Sequence, residues 1–347
     1  ELVSNNLTWE KVTTADIGVD LTLFDNRLNF TGDIYRRNTK DMLVAGATLP
    51  ATLGASVPKS NSADMKTIGW ELSLGWNDRL ENGFSYWVKG VLSDYQATIT
   101  KYAGNDAGFY SQSDGDGKYY VGQKIGEIWG YHSNGLFQSD DEAATIDQSE
   151  LYAGKWGAGD VKYEDLDNDG KITKGEETIY NPGDKSIIGN KTPRYQFGIT
   201  VGFDYKNFDF EMFWQGTGKR DYMLSGAQFW GFTSQWDVPY TPALDYWTET
   251  NTDAYFPRPG WQNGGNRVTS DRYLQSAAYG RLKNLTVGYT IPKNLTTKWG
   301  ISRLRLYVTG ENLLTITPLN DAFDPETLGG MTYPINRKVA IGLNLTL

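Results

Sequence analysis

Hydrophobic and polar residues alternate with a period of two in several long stretches of the chain. From Ile68, the series Ile68, Trp70, Leu72, Leu74 and Trp76 is interleaved with Gly69, Glu71, Ser73 and Gly75. From Tyr195, the series Tyr195, Phe197, Ile199, Val201, Phe203 and Tyr205 is interleaved with Gln196, Gly198, Thr200, Gly202 and Asp204. The final residues repeat it, with Val339, Ile341, Leu343, Leu345 and Leu347 against Lys338, Gly342, Asn344 and Thr346. Such alternation marks strands whose two faces meet different surroundings. One face is apolar; the other is small or polar, as a watery lumen requires.

The pattern predicts strands near 12–24, 26–37, 64–77, 82–98, 193–206, 207–216, 277–291, 301–313 and 334–347. Most are longer than the ~5–6 residues of a soluble strand and reach the ~9–11 that cross a bilayer at a tilt. Four connections are short, after Phe24 and around 80, 206 and 296, and four are long, at 38–63, 99–192, 217–276 and 314–333. Short and long alternate. Outer-membrane barrels do this, with short periplasmic turns and long extracellular loops. The fold class expected is therefore all-β: a transmembrane β-barrel with its C-terminus, Leu347, on the periplasmic side. Phe24, Trp76, Phe203 and Tyr205, near strand ends, suit an interfacial girdle, although a sandwich core accounts for any one of them equally well. Nine strands is an odd count, and an open sheet would leave bare edges in lipid. Residues 1–347 are thus expected to be the C-terminal arc of a larger barrel.

Composition narrows the choices. Mean hydropathy is −0.52, and no apolar run is long enough for a transmembrane helix. A barrel escapes that test, because its alternation averages out. A net charge of −9 and the lack of a long basic block argue against a nucleic-acid partner. With no cysteine, disulfide frameworks and thiolate metal sites are excluded. The opening Glu1-Leu2-Val3 shows neither a basic nor an apolar leader region, so a processed or longer chain is expected.

Several segments together resemble one family. GQKIGEIWGYHSNGLFQSDDE (122–142), GDVKYEDLDNDGKIT (159–173), IIGNKTPRYQFGITVGFDYKNFDFEMFWQGTGKRD (187–221), AAYGRLKNLTVGYTIP (277–292), LRLYVTGENLLTIT (304–317) and DPET (324–327) are similar in order and spacing to the SusC-like TonB-dependent transporters of Bacteroidetes outer membranes. The resemblance implies a 22-stranded barrel with a plugged lumen, of which this chain would be the last nine strands. It also implies a SusD-like surface lipoprotein closing over the mouth as a lid. Energy would come from the TonB complex, through an N-terminal plug part absent from this chain. The cargo implied is an oligosaccharide or, in some members, a peptide. Leu347 stands where an aromatic residue is frequent at barrel ends.

Within the 99–192 connection, DLDNDGKITKGE has the spacing of an EF-hand calcium loop. Asp165, Asp167 and Asp169 would give carboxylate oxygens, Lys171 its carbonyl and Glu176 a bidentate carboxylate, with Gly170 at the sharp turn and Thr173 at the water-bridged position. No amphipathic helix follows, because Pro182 and Gly183 break the chain. The expected role of Ca²⁺ is structural, in a site without a paired hand; the plainer alternative is an acidic turn. Among loop aromatics, Trp129, Tyr131, Trp230, Trp236 and Trp261 are candidates for ligand or lid contact. The competing expectation is that most of them form a core for the long loops.

Catalysis finds no support. Asp140-Asp141-Glu142 reads as a helix start, and the lone His132 has no second histidine or cysteine beside which to bind a metal. No nucleotide loop or nucleophile elbow occurs. Arg36, Arg37 and Lys40 make a small basic patch near an extracellular strand end, suited to lipopolysaccharide phosphates in the outer-membrane lipid or simply to a hydrophilic rim. The rival to an importer is a β-rich surface glycan-binding module, which has no reason to alternate its loop lengths.

Overall fold

The computed structural model describes residues 7–45, 52, 54, 58–103, 105, 108, 119–153, 155–260, 264–328 and 332–347. Nine strands form one antiparallel sheet in sequence order: β1 Lys11–Leu23, β2 Leu28–Ala45, β3 Lys59–Arg79, β4 Ser85–Tyr102, β5 Arg194–Tyr205, β6 Phe208–Lys219, β7 Tyr279–Thr290, β8 Arg303–Ile316 and β9 Lys338–Thr346. Each predicted strand is present. Short connections at 24–27, 80–84, 206–207 and 291–302 lie at one end of the sheet, and the four long ones at the other.

The expected 38–63 loop is the clearest departure. β2 runs on to Ala45 and β3 begins at Lys59, so the hairpin climbs well beyond the apolar band. Its upper part on β2 runs from polar Asn38-Thr39-Lys40-Asp41 straight into apolar Met42-Leu43-Val44-Ala45, so period-two alternation gives no signal there; the backbone ladder alone carries it. Register shifts at Thr39/Met42, Met42/Leu43 and Asp64/Met65 mark bulges, which locally disrupt and bend such a ladder.

Register confirms the division of faces. Ile17, Ile34 and Trp70 are direct partners across β1–β3, as are Val287, Val308 and Ile341 across β7–β9. Ile17, Ile34, Val308 and Ile341 are all exposed. An apolar surface of this extent is unstable in water and is solvated in lipid. At the short-turn end, Phe24 meets Trp76 at 6.1 Å, Phe84 meets Phe203 at 5.5 Å and Tyr205 at 5.8 Å, and Phe203 meets Phe210 at 5.1 Å. Trp76 Nε1 donates to the Tyr86 hydroxyl at 3.2 Å. The rings form a contiguous belt with polar tips, the arrangement that an interface favours.

The opposite face is polar and crosslinked: Thr31 Oγ1 donates to Asp20 at 2.7 Å, and the Arg305 guanidinium is paired with Asp209. Here glycines have a definite use. Tyr35 lies over its cross-strand partner Gly69, Trp87 over Gly202 and Tyr307 over Gly342. A Cβ on Gly202 would stand 2.2 Å from the Trp87 ring. Gly202→Val is expected to cost about 1–3 kcal/mol through this overpacking. The check is the yield of heat-modifiable, folded barrel on a gel; an unchanged yield would contradict it.

Candidate functional site

The long connections do not trail from the sheet; they fold into a second core above it. Tyr131, Leu136, Tyr152, Val161, Tyr163 and Ile172 from 99–192, here the first loop, pack with Leu224, Phe229, Trp247, Phe256 and Tyr273 from 217–276, the second, and Leu319, Phe323 and Leu328 from 314–333, the third. Phe229, fully buried, has ring neighbours Trp230 and Phe256 at 5.1 Å, Phe323 at 6.2 Å and Tyr273 at 6.3 Å. Short ladders brace the loops: Glu127–Tyr131 pairs with Lys185–Asn190, Ser133–Leu136 with Val161–Tyr163, and Asp221–Met223 with Leu274–Ser276. The predicted helix start forms at Asp140–Ala143, with the Ser139 side chain accepting from the Glu142 amide, a standard N-cap.

Polar bonds join the first two loops. Buried Asn266 accepts from the Tyr152 hydroxyl at 2.7 Å and the Val161 amide at 2.8 Å, and donates to Asp160 at 2.8 Å. His132 bridges Asp271 through Nδ1 and Ser186 through Nε2, each at 2.7 Å. Asp271 also accepts from the Ser133 amide at 2.9 Å. The sequence offered His132 no partner, since Ser186 and Asp271 lie 54 and 139 residues away; the fold makes it a latch between loops.

Asp160 is buried, and that burial pushes its carboxyl above the usual range, against the hydrogen bond from Asn266 and the charge of Arg258. A carboxyl raised in the folded state contributes stability that is complete below its unfolded value and lost as pH rises through the folded one. Amide protection of residues 157–163, corrected for intrinsic exchange, should therefore increase as pH falls from neutral toward 4. Subtracting the profile of Asp160→Asn isolates this part; a difference independent of pH would contradict it.

The acidic loop is folded as a tight carboxylate nest. Asp165 accepts from the amides of Asn168 at 2.6 Å, Asp169 at 3.2 Å and Gly170 at 2.8 Å. Desolvation pushes this carboxyl up, but those amides outweigh it and hold it below the usual range. Asp165, Asp167 and Asp184 each bring an oxygen within 4.8 Å of the others. Glu176 is not among them, nor is Asp169, whose carboxylate accepts from the Lys171 amide at 2.8 Å. The twelfth-position carboxylate needs a helix to bring it back. Here Gly175 and Gly183 turn the chain in the left-handed region instead, and Asp184 returns in its place. Asp184 is almost fully buried and accepts from Leu166 at 2.8 Å and Thr173 at 2.7 Å. Burial raises its carboxyl above the usual range, and Asp167 and Asp165 push the same way. Ile172 sinks into the loop core, and its amide donates to the Asp147 carbonyl at 2.7 Å, while the Asp147 amide donates to the Gly170 carbonyl at 3.1 Å.

The candidate aromatics part company. Tyr131 belongs to the core, 2% exposed, and Trp230 packs 4.6 Å from Tyr273. Trp129 is half-buried, 6.5 Å from Tyr120. Trp236 stands 83% exposed, and Trp261 lies outside the described residues. Two rings that sequence reasoning passed over, Tyr180 and Tyr333, are as exposed as Trp236.

A nine-stranded arc with one apolar face, one polar face and all long loops at one end defines a segment of an outer-membrane barrel. The family profile described as TonB dependent receptor-like, beta-barrel, matches residues 1–313, and the chain belongs to that outer-membrane family. It is 30% identical to TonB-dependent receptor P3 of Formosa agariphila, over 99% of this chain and 35% of that protein. It is 25% identical to TonB-dependent receptor SusC of Bacteroides thetaiotaomicron, over 99% of this chain and 32% of that one. The chain thus spans about a third of the length of these curated relatives. Its fold matches the RagAB peptide importer in its open-open state with a TM-score of 0.76 at 21% identity, over 99% of this chain and 35% of the other.

Proposed function

We propose that the full-length receptor imports oligosaccharides across the outer membrane, with a SusD-like lipoprotein as lid and the TonB complex as energy source. One observation carries the choice of cargo: Trp236, Tyr180 and Tyr333 hold their rings in solvent on loops that are themselves tightly cored. Rigid, flat, amphipathic rings stack on sugar faces at little entropic cost. The loops would be extracellular, and the short turns and Leu347 periplasmic, following the barrel rule. A second reading, oligopeptide import, is favoured by the likeness of the fold to a structure titled a peptide importer. Uptake of labelled oligosaccharides and of labelled peptides by cells carrying the full-length receptor separates the two. The expected result is oligosaccharide uptake, reduced severalfold by Trp236→Ala. Peptide uptake alone would establish the second reading.

Calcium has a place in this reading as a staple for the first loop. Asp165, Asp167 and Asp184 would be its carboxylate ligands, in place of the set that included Asp169, Lys171 and Glu176. Three carboxyls this close, one of them buried, are what a hard divalent cation neutralises. Affinity is expected on the order of 10⁻⁴ to 10⁻³ M, as in extracellular modules. Chelation of the purified receptor should expose residues 160–185 to protease, and Asp184→Asn should do so even in millimolar calcium. Cleavage unaltered by chelator in both proteins would refute the staple.

A further inference from the structure

The arc's outward face carries a second chemistry directly above its apolar band. The last fully apolar row across β1–β3 is Ile17, Ile34 and Trp70. One row higher stand Ala15, Arg36, Ile68 and Gln96, and one higher again Thr13, Asn38, Lys66 and Thr98. Thr98 is bridged to Lys124, and Lys11 is the partner of Lys40. Direct cross-strand partners share a face, so Arg36, Lys40, Lys66 and Lys124 all stand on the lipid side. Each row is about 7 Å above the last, so the cations fill a band that begins at the edge of the hydrocarbon. The Arg37 of the sequence patch is not part of it; its guanidinium lies over the Tyr35 ring, on the polar face.

Internal pairing does not account for these charges. Lys11 is 3.5 Å from Asp41, but among the described residues Arg36, Lys40, Lys66 and Lys124 form no ion pair. In a chain of net charge −9, a one-sided cluster of four unneutralised cations at this height is a local reversal of sign. Outward acidic groups nearby are engaged: Asp94 with Arg194, and Asp64 with the Asp41 amide.

We propose that this face of β1–β4 binds the phosphate groups of an anionic glycolipid in the outer leaflet. Arg36 offers a planar fork for a phosphate, and Lys40, Lys66 and Lys124 offer point charges to either side. The bound headgroup would lie against the hairpin that extends β2 and β3, giving that ladder a neighbour and fixing the height of the barrel. None of these cations is a member of the loop core, and the site does not depend on which cargo is imported.

The test uses the full-length receptor, purified in mild detergent, delipidated and mixed with phosphatidylcholine vesicles with or without lipid A. Retained glycolipid is measured by mass spectrometry. The expected result is selective retention of lipid A, lost at least fivefold in the variant Arg36→Gln/Lys40→Gln/Lys66→Gln/Lys124→Gln and kept in a control, Arg37→Gln/Lys89→Gln, that removes cations from the polar face. Both variants are first shown to be folded by their heat-dependent gel mobility. Equal retention by the two variants would overturn the proposal. So would full displacement by inorganic phosphate at a concentration equal to that of lipid A, which would mark a site for the free anion.

Discussion

Replacing Phe229 by alanine should dissolve the loop core while leaving the barrel standing. Its ring is fully buried against Trp230, Phe256 and Tyr273 of the 217–276 connection and Phe323 of the 314–333 connection, in a core that the 99–192 connection shares. Truncating a buried phenylalanine costs about 3–5 kcal/mol, through lost transfer energy and the cavity left behind. That is a large part of what a cluster of this size can contribute, so the loops should open together. Hydrogen exchange should accelerate in residues 127–136, 161–172 and 222–274. Strands β1–β4, which among the described residues contribute nothing to this core, should keep their protection. Acceleration limited to the residues touching 229 would mean that the loops are independent units, and the common core would be refuted.

The second large effect is expected at Arg281. This side chain is 2% exposed, at the top of β7, and its guanidinium meets Asp324 at 2.6 Å and Glu326 at 3.1 Å, with Thr315 Oγ1 accepting at 2.9 Å. Lys283 adds a second cation 3.1 Å from Glu326. Two loop carboxylates are thereby clamped to the barrel rim. Removing one partner of a buried pair leaves the other uncompensated, at a cost of about 3–5 kcal/mol. Arg281→Leu should therefore free residues 317–328 from the rim, seen as new protease cleavage there. Asp324→Asn in the same background should restore protection, because Glu326 keeps its pair with Lys283 and no charge is then left bare. Failure of that rescue would show that Arg281 acts by packing alone.

How much of this was legible depended on whether the signal was local. The nine strands were, because lipid on one side and water on the other impose alternation on every crossing residue, as at Ile68 to Trp76. The loop-length alternation likewise needed only counting. The upper β2–β3 hairpin was not, since its residues on β2 fall in a polar block followed by an apolar one, and the ladder leaves no period of two in the side-chain pattern. The place of Asp184 beside Asp165 and Asp167 was not legible, because the motif counts positions along a helix-closed loop, and here the closing segment turns at Gly175 and Gly183 instead. The partners of His132 lie 54 and 139 residues away, and Trp230 is sorted from Trp236 by packing on Phe256 and Tyr273, far along the chain. Such contacts belong to the folded loops, and no window of sequence contains them.

Import from outside requires the cored loops to stand on the extracellular side of the membrane. The chain contains no cysteine, so single thiols can report it. In the full-length receptor, cleared of any cysteine elsewhere, Trp236→Cys and Glu81→Cys place one thiol on an exposed loop and one on a short turn. Intact cells are treated with a membrane-impermeant maleimide. Labelling of position 236 at once, and of position 81 only after the outer membrane is broken, is the predicted result. Labelling of position 81 in intact cells, with 236 protected, would invert the barrel and contradict the account.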